Sequence, residues 1–367
     1  MAKAGTIVRG VGLAGLLAFL AVVQAQQPRI GAQGTRFDEA YWSTADAARV
    51  AHDFKHPAQV RTLLAGDYAP LHLAAMFSPD PQVVRYLVRL GADPNRPAEH
   101  GRTPLILAAA YNASPAVAQA LVESGARLDA TDDRGRTALH YAAAIGRSAE
   151  VIRLLGHFGA EVHAFDADGL TPLHLAAAQN RAPQIFRELL RLGAGIEEPD
   201  SRGRPPLAIA VLAGNAAAVD LLLGMGADPL LGHAGGPSAL YVAAMATPNP
   251  EVIHVLVKRG FDVNWTLTGG TRPLHAAARD NPEPSVVEAL IDEGADVNAA
   301  DALWKTPLIY AAWKNPNPEV VLALLRRGAN ARQRDAAGMT ALDYLLMSNA
   351  RLQGSEAEAA LRRALGR

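Results

Sequence analysis

The chain has 367 residues, 50% of them apolar and 5% aromatic, with 35 Lys and Arg against 36 Asp and Glu. A formal charge of −1 excludes the global basic field that nucleic acid or an acidic membrane surface calls for, and the absence of cysteine excludes disulfides, thiolate metal sites and cysteine nucleophiles. Length and composition alone leave open two ordinary globular domains or one long repeat array.

Residues 1–25 read as a secretory signal peptide. Lys3 and Arg9 form a basic n-region, Val11 to Val23 an apolar h-region, and Val23-Gln24-Ala25 fits the small-x-small cleavage rule, with Gln26 as the first mature residue. As a helix, that h-region reaches about 20 Å against a hydrocarbon core of roughly 30 Å, which favours a cleaved signal over a membrane anchor. Without cleavage, the segment to Val23 would tether the chain to the membrane. Cleavage removes two basic residues and takes the formal charge to about −3. Only five basic residues are lysines, which with the Ala and Gly content points to a GC-rich bacterial gene. The expected location is therefore the periplasm or outside the cell.

Residues 26–43 read as a flexible arm. Residues 44–68 read as a degenerate N-terminal capping unit, two helices broken at Pro57, with Val60, Leu63 and Leu64 facing inward, Gly66 at the helix stop and no hairpin finger. Further on, Gly169-Leu170-Thr171-Pro172-Leu173-His174-Leu175-Ala176-Ala177 begins a helix: Thr171 serves as N-cap, Pro172 takes the first helical position, and the Ala pair lets a second helix pack close. The same unit recurs with its anchor at 69, 103, 137, 171, 205, 238, 272, 306 and 340, at intervals of 34 residues and once of 33. Each copy is followed by a second helix that ends on glycine, as in Leu90-Gly91-Ala92-Asp93 and Glu293-Gly294-Ala295-Asp296. Stiff turns such as Asn315-Pro316-Asn317-Pro318 join the two helices. Over 340–367, Leu342, Leu345 and Leu346 face inward and a last helix carries Ala359, Leu361 and Leu365 among charged residues, which suits a C-terminal cap.

The Thr-Pro-Leu-His-x-Ala units and the Gly-Ala-Asp turns resemble the ankyrin repeat, over residues 44 to 367, and the whole resembles exported bacterial ankyrin-repeat proteins. The resemblance implies an all-α solenoid of stacked helix-turn-helix units with hairpin fingers, eight repeats over 69–339 between atypical caps. It implies a non-catalytic scaffold or modulator that binds a protein partner on the concave face lined by finger tips and first helices. For His72, His140, His174 and His275, which share one repeat position, it implies a structural role in holding the loop before the helix.

Once the repeats are assigned, no segment remains for a separate catalytic domain. His52 and His56, four apart on a possible helix, could chelate a metal, but the zinc-protease glutamate is missing and Pro57 frays the turn holding His56, so the spacing reads as coincidence. Asp132, Asp166, Asp200 and Asp335 read as turn formers, and Asn112-Ala113-Ser114 fits a glycosylation sequon. No cofactor and no metal is expected. The partner-binding candidates are the variable positions after the Ala pair (Phe77, Tyr111, Ile145, Trp313) and in the fingers (Phe165, Leu170, Trp265, Trp304). Three of the four tryptophans fall there, Trp304 where the resemblance expects Gly. Two readings stay open: these rings meet a partner, or they pack between fingers and stiffen the stack. The alternative function is an enzyme whose site is assembled from His and carboxylates of several repeats in the groove. The chain is expected to be monomeric, to bind neither nucleic acid nor, after cleavage, membrane.

Overall fold

Nine near-identical helix starts dictate the architecture. The computed structural model describes residues 37–64, 67–231 and 238–366; the expected signal peptide, residues 26–36 of the arm and Gly66 lie outside them. Among the described residues the chain is all-helical, with 21 α-helices, one 3₁₀ turn and no strand. It divides into two units, 18–206 and 207–367, apart from residues outside the described range.

The first unit opens with three short helices, α1 (Glu39–Thr44), α2 (Ala47–Asp53) and α3 (Pro57–Arg61). Four helix pairs follow: α4 (Pro70–Phe77) and α5 (Pro81–Arg89), α6 (Pro104–Tyr111) and α7 (Pro115–Glu123), α8 (Ala138–Ala144) and α9 (Ala149–His157), α10 (Pro172–Gln179) and α11 (Pro183–Arg191). First helices pack on first helices and second on second, which makes two layers. The reason is visible in α10, where every residue from Pro172 to Ala178 is buried; a helix apolar all round must have neighbours all round. In α11 only Ile185, Phe186 and Leu189 are buried, one stripe on an otherwise polar helix.

The second unit repeats the plan with α12 (Pro206–Leu212), α13 (Ala216–Gly224), α14 (Ala239–Ala246), α15 (Glu251–Lys258), α16 (Pro273–Asp280), α17 (Pro284–Asp292), α18 (Pro307–Lys314), α19 (Pro318–Arg326), α20 (Ala341–Ser348) and α21 (Glu356–Leu365). Here α14, α16, α18 and α20 form the first-helix layer, and α13, α15, α17, α19 and α21 the second. Helices of seven to ten residues are marginal alone, so lateral packing carries them.

Three polar ladders tie successive repeats. His174 accepts the Thr171 N–H on Nδ1 at 3.2 Å and donates from Nε2 to the Arg204 carbonyl at 3.0 Å; His140 bridges to the Leu170 carbonyl in the same way, His275 to those of Ala299 and Lys305, and His72 to that of Arg96. Asn315 donates both amide hydrogens to carbonyls of the preceding repeat, Ala278 at 2.9 Å and Asn281 at 2.8 Å, as do Asn112, Asn180, Asn281 and Asn349 to theirs. The finger aspartates bind their own turn N–H groups, as Asp301 does those of Leu303 and Lys305, and Tyr310 closes the loop with its hydroxyl on the second carboxylate oxygen at 2.8 Å. Tyr141 and Tyr344 close on Asp132 and Asp335 in the same way, which fixes these three fingers to the helix that follows.

The ends depart from expectation in three places. From residue 37 on, the expected arm is packed structure: Asp38 caps α1, and Trp42 is fully buried against Phe37, Tyr41 and Phe54. Leu63 points outward at 43% exposure because α3 stops at Arg61 and the helical period does not carry past it, while Val60 within the helix is buried. Leu346 is likewise exposed although Leu342 and Leu345 are buried, since α20 has a first-helix neighbour on only one side among the described residues.

Candidate functional site

Imidazoles are the first groups to weigh, because they carry most acid–base and metal chemistry. The four bridging histidines are buried and both ring nitrogens are engaged. Burial pushes their pKa values down, that of His72 to about 4, although the hydrogen bond to the Arg96 carbonyl works the other way. They are neutral staples. His52 sits within α2, but His56 lies beyond its end as the N-cap of α3, so the two imidazoles do not share a helix face. His52 bonds Asp53 instead. Among the described residues no three His, Asp or Glu side chains are grouped to hold a metal. Asn112 of the sequon spends its amide on the Ala75 and Ser78 carbonyls and is part of the asparagine ladder.

In the first unit Phe77, Tyr111 and Ile145 stand half-buried at the C-terminal ends of α4, α6 and α8, one per repeat. Phe165 projects from its finger at 54% exposure. Leu170 does not belong with them: it is 2% exposed, its N–H bonds Asp166 and its carbonyl receives His140. The same position in other fingers explains why. Arg102 bonds the Tyr68 hydroxyl at 3.0 Å, Arg136 meets the buried Asp166 at 3.2 Å, and Arg204 meets Asp200 at 2.6 Å. The residue before the helix cap points inward, and its identity varies with the neighbour that it must satisfy. Tyr68 shows the local electrostatics: burial raises its hydroxyl pKa to about 12 despite the Arg102 guanidinium.

In the second unit the three tryptophans have different fates. Trp265 is half-buried and sets its edge against Tyr241, ring centres 6.3 Å apart. Trp313 is half-buried near the end of α18, leaning on Tyr310 at 6.1 Å and on Tyr344 at 5.3 Å. These two rings partly stiffen the stack. Trp304 stands apart, 64% exposed beside Leu303 at 56%, with φ of 61°. Six other fingers place Gly at this position, Gly101, Gly135, Gly169, Gly203, Gly270 and Gly338, all with φ between 73° and 79°. The turn needs a left-handed residue, and a bulky side chain there costs on the order of 1 kcal/mol or more.

Around Trp313 the structure adds groups that the sequence reading passed over. Lys305 reaches Asp335 at 3.3 Å and lies over both Trp313 and Tyr344, and Tyr344 bonds Asp335 at 2.7 Å. Burial opposes the Lys305 charge, but Tyr344 and Asp335 outweigh it and hold its pKa above the ordinary value. The signal was present: tyrosine follows the finger aspartate by nine residues at 132/141, 301/310 and 335/344. Met347, 64% exposed on α20, is one period after Trp313.

A family model described as ankyrin repeats in three copies matches residues 71–166, 149–233 and 240–335. Among solved structures, the chain is similar to the human ASB11 ankyrin repeat domain at 27% identity and a TM-score of 0.48, over 62% of this chain and 99% of that one. No curated protein matches it.

Proposed function

This chain belongs to the ankyrin-repeat family, whose repeats are generally protein–protein interaction modules, and we propose that it is a non-catalytic docking protein that holds a protein partner on its finger tips and first-helix ends. Phe77, Tyr111, Ile145 and Phe165 serve that contact in the first unit, and Trp304 and Trp313 in the second. One observation carries the reading: Trp304 keeps a large apolar ring in solvent, in a backbone conformation that six sister fingers assign to glycine. Folding gains nothing from that combination, whereas a partner would bury the ring in full. The finger carboxylates and the bridging histidines are engaged inside the scaffold, which leaves this surface with apolar contact area to offer.

The test is capture. The full chain and its Trp304→Gly variant are immobilised and exposed to cell-envelope extract. A protein retained by the parent and lost, or weakened by about tenfold or more, with the variant is the expected outcome, in the range of an interface hot spot. Equal capture by both would overturn the assignment.

We propose further that residues 1–25 export the chain and are removed, on the strength of the basic n-region, the short apolar core and the Val23-Gln24-Ala25 site. The protein recovered from a bacterial envelope fraction should then begin at Gln26 by N-terminal sequencing; a start at Met1 in the membrane fraction would favour a tether.

A further inference from the structure

The aromatic rings at the end of α18 already carry the chain's own cations. Lys314 Nζ lies 4.5 Å from the centre of the Trp313 ring, Lys305 Nζ 5.9 Å from the same ring and 5.6 Å from Tyr344, and the Arg279 guanidinium 5.9 Å from Tyr310. Electron-rich faces so occupied repel a further cation rather than attract it. Most of the local charge is also matched. Asp280 holds Arg279 at 2.7 Å, Asp335 holds Lys305, and Asp301 is closed by Tyr310. Lys314 differs: its side chain is exposed, and among the described residues no carboxylate lies within ion-pair distance of it. An ammonium with three donors thus stands over a half-open indole, with exposed Met347 one repeat further on the adjoining helix.

We infer that this surface of the 207–367 unit takes a protein segment in which an acidic side chain stands next to an aromatic or aliphatic one. The carboxylate meets Lys314, and its apolar neighbour lies on the open part of Trp313. Such a pairing uses both properties of the patch, whereas a basic segment meets repulsion and a purely apolar one leaves the ammonium without an acceptor as water is displaced. This inference rests on the docking surface proposed above and specifies the chemistry of what binds there.

Random peptides displayed on phage are selected on the immobilised full chain, and the enriched sequences are synthesised and titrated calorimetrically. The expected result is enrichment of Asp or Glu within two positions of Phe, Leu or Trp. Their Kd should rise by about tenfold or more in Lys314→Glu, titrated well below its melting temperature because the carboxylate loses the contact with Trp313 and opposes the dipole at the end of α18, and binding should weaken as salt is raised. Peptides without acidic bias that are nevertheless lost in Trp304→Gly or Trp313→Ala would overturn the chemistry and leave the docking surface standing, as would acidic peptides that bind Lys314→Glu like the parent. Peptides indifferent to both tryptophan changes, or no enrichment at all, would overturn both. A concentration-dependent dimer in sedimentation that Lys314→Glu abolishes would assign the patch to a second copy of the chain and overturn the inference.

Discussion

Leu170 and Trp304 sit in corresponding fingers one position apart in register, and they show how differently a variable residue can be used. Leu170 closes the space between its finger and the helix of the repeat before it, with His140 on its carbonyl. Its replacement by alanine should cost about 2–5 kcal/mol in urea unfolding and leave partner capture by the folded protein unchanged. A loss below 1 kcal/mol would contradict its placement in the core. Sequence variation at the position before the cap looks like surface freedom, yet it reflects the need to match different buried neighbours: Tyr68 for Arg102, Asp166 for Arg136, Asp200 for Arg204. Periodicity does not reveal which side chain points inward from a hairpin, because a finger has neither the 3.6 nor the 2.0 repeat of a regular element. Trp304 could be singled out from sequence, because the glycine it replaces is a backbone requirement and not a packing one.

At the scale of the element, the helix starts were legible because Thr, Pro and the Ala pair act locally, as N-cap, first helical residue and close-packing surface. The asparagine ladder was not, although Asn281, Asn315 and Asn349 recur at the repeat period, because an asparagine after a helix reads as a turn former and its acceptors lie more than thirty residues back. The histidine ladder gives the element its pH dependence. An unfolded histidine titrates near 6.5, whereas the folded values are lowered, to about 4 for His72. The folded state therefore binds fewer protons, and stability, full above about pH 6.5, is lost as pH falls towards 4, by roughly 3 kcal/mol for His72 alone. The urea midpoint should fall between pH 7 and pH 5 and keep falling to pH 4. In His72→Gln, which retains an acceptor and a donor, that fall should be smaller. A midpoint flat from pH 7 to pH 4 would contradict the neutral-staple reading.

On the scale of the molecule, repetition separates what specifies the fold from what varies between repeats. Residues that return at every period build the two layers and their ladders, whereas large apolar side chains left in solvent stand at variable positions, among them Phe165 on one finger, Leu303 and Trp304 on another, and Leu346 and Met347 on the last first-layer helix. The N-terminal cap was the least legible region, since Phe37, Tyr41, Trp42 and Phe54 form an aromatic cluster that follows no repeat and is assembled only when the first two short helices fold back on one another. We propose that Trp304 is kept for a partner at the expense of the fold. Thermal unfolding and partner capture measured on one preparation of Trp304→Gly address it directly. An unchanged or higher melting temperature together with capture weakened by about tenfold or more is the expected result, since glycine relieves the left-handed strain and removes the ring. A lower melting temperature with capture intact would contradict it and make Trp304 part of the scaffold.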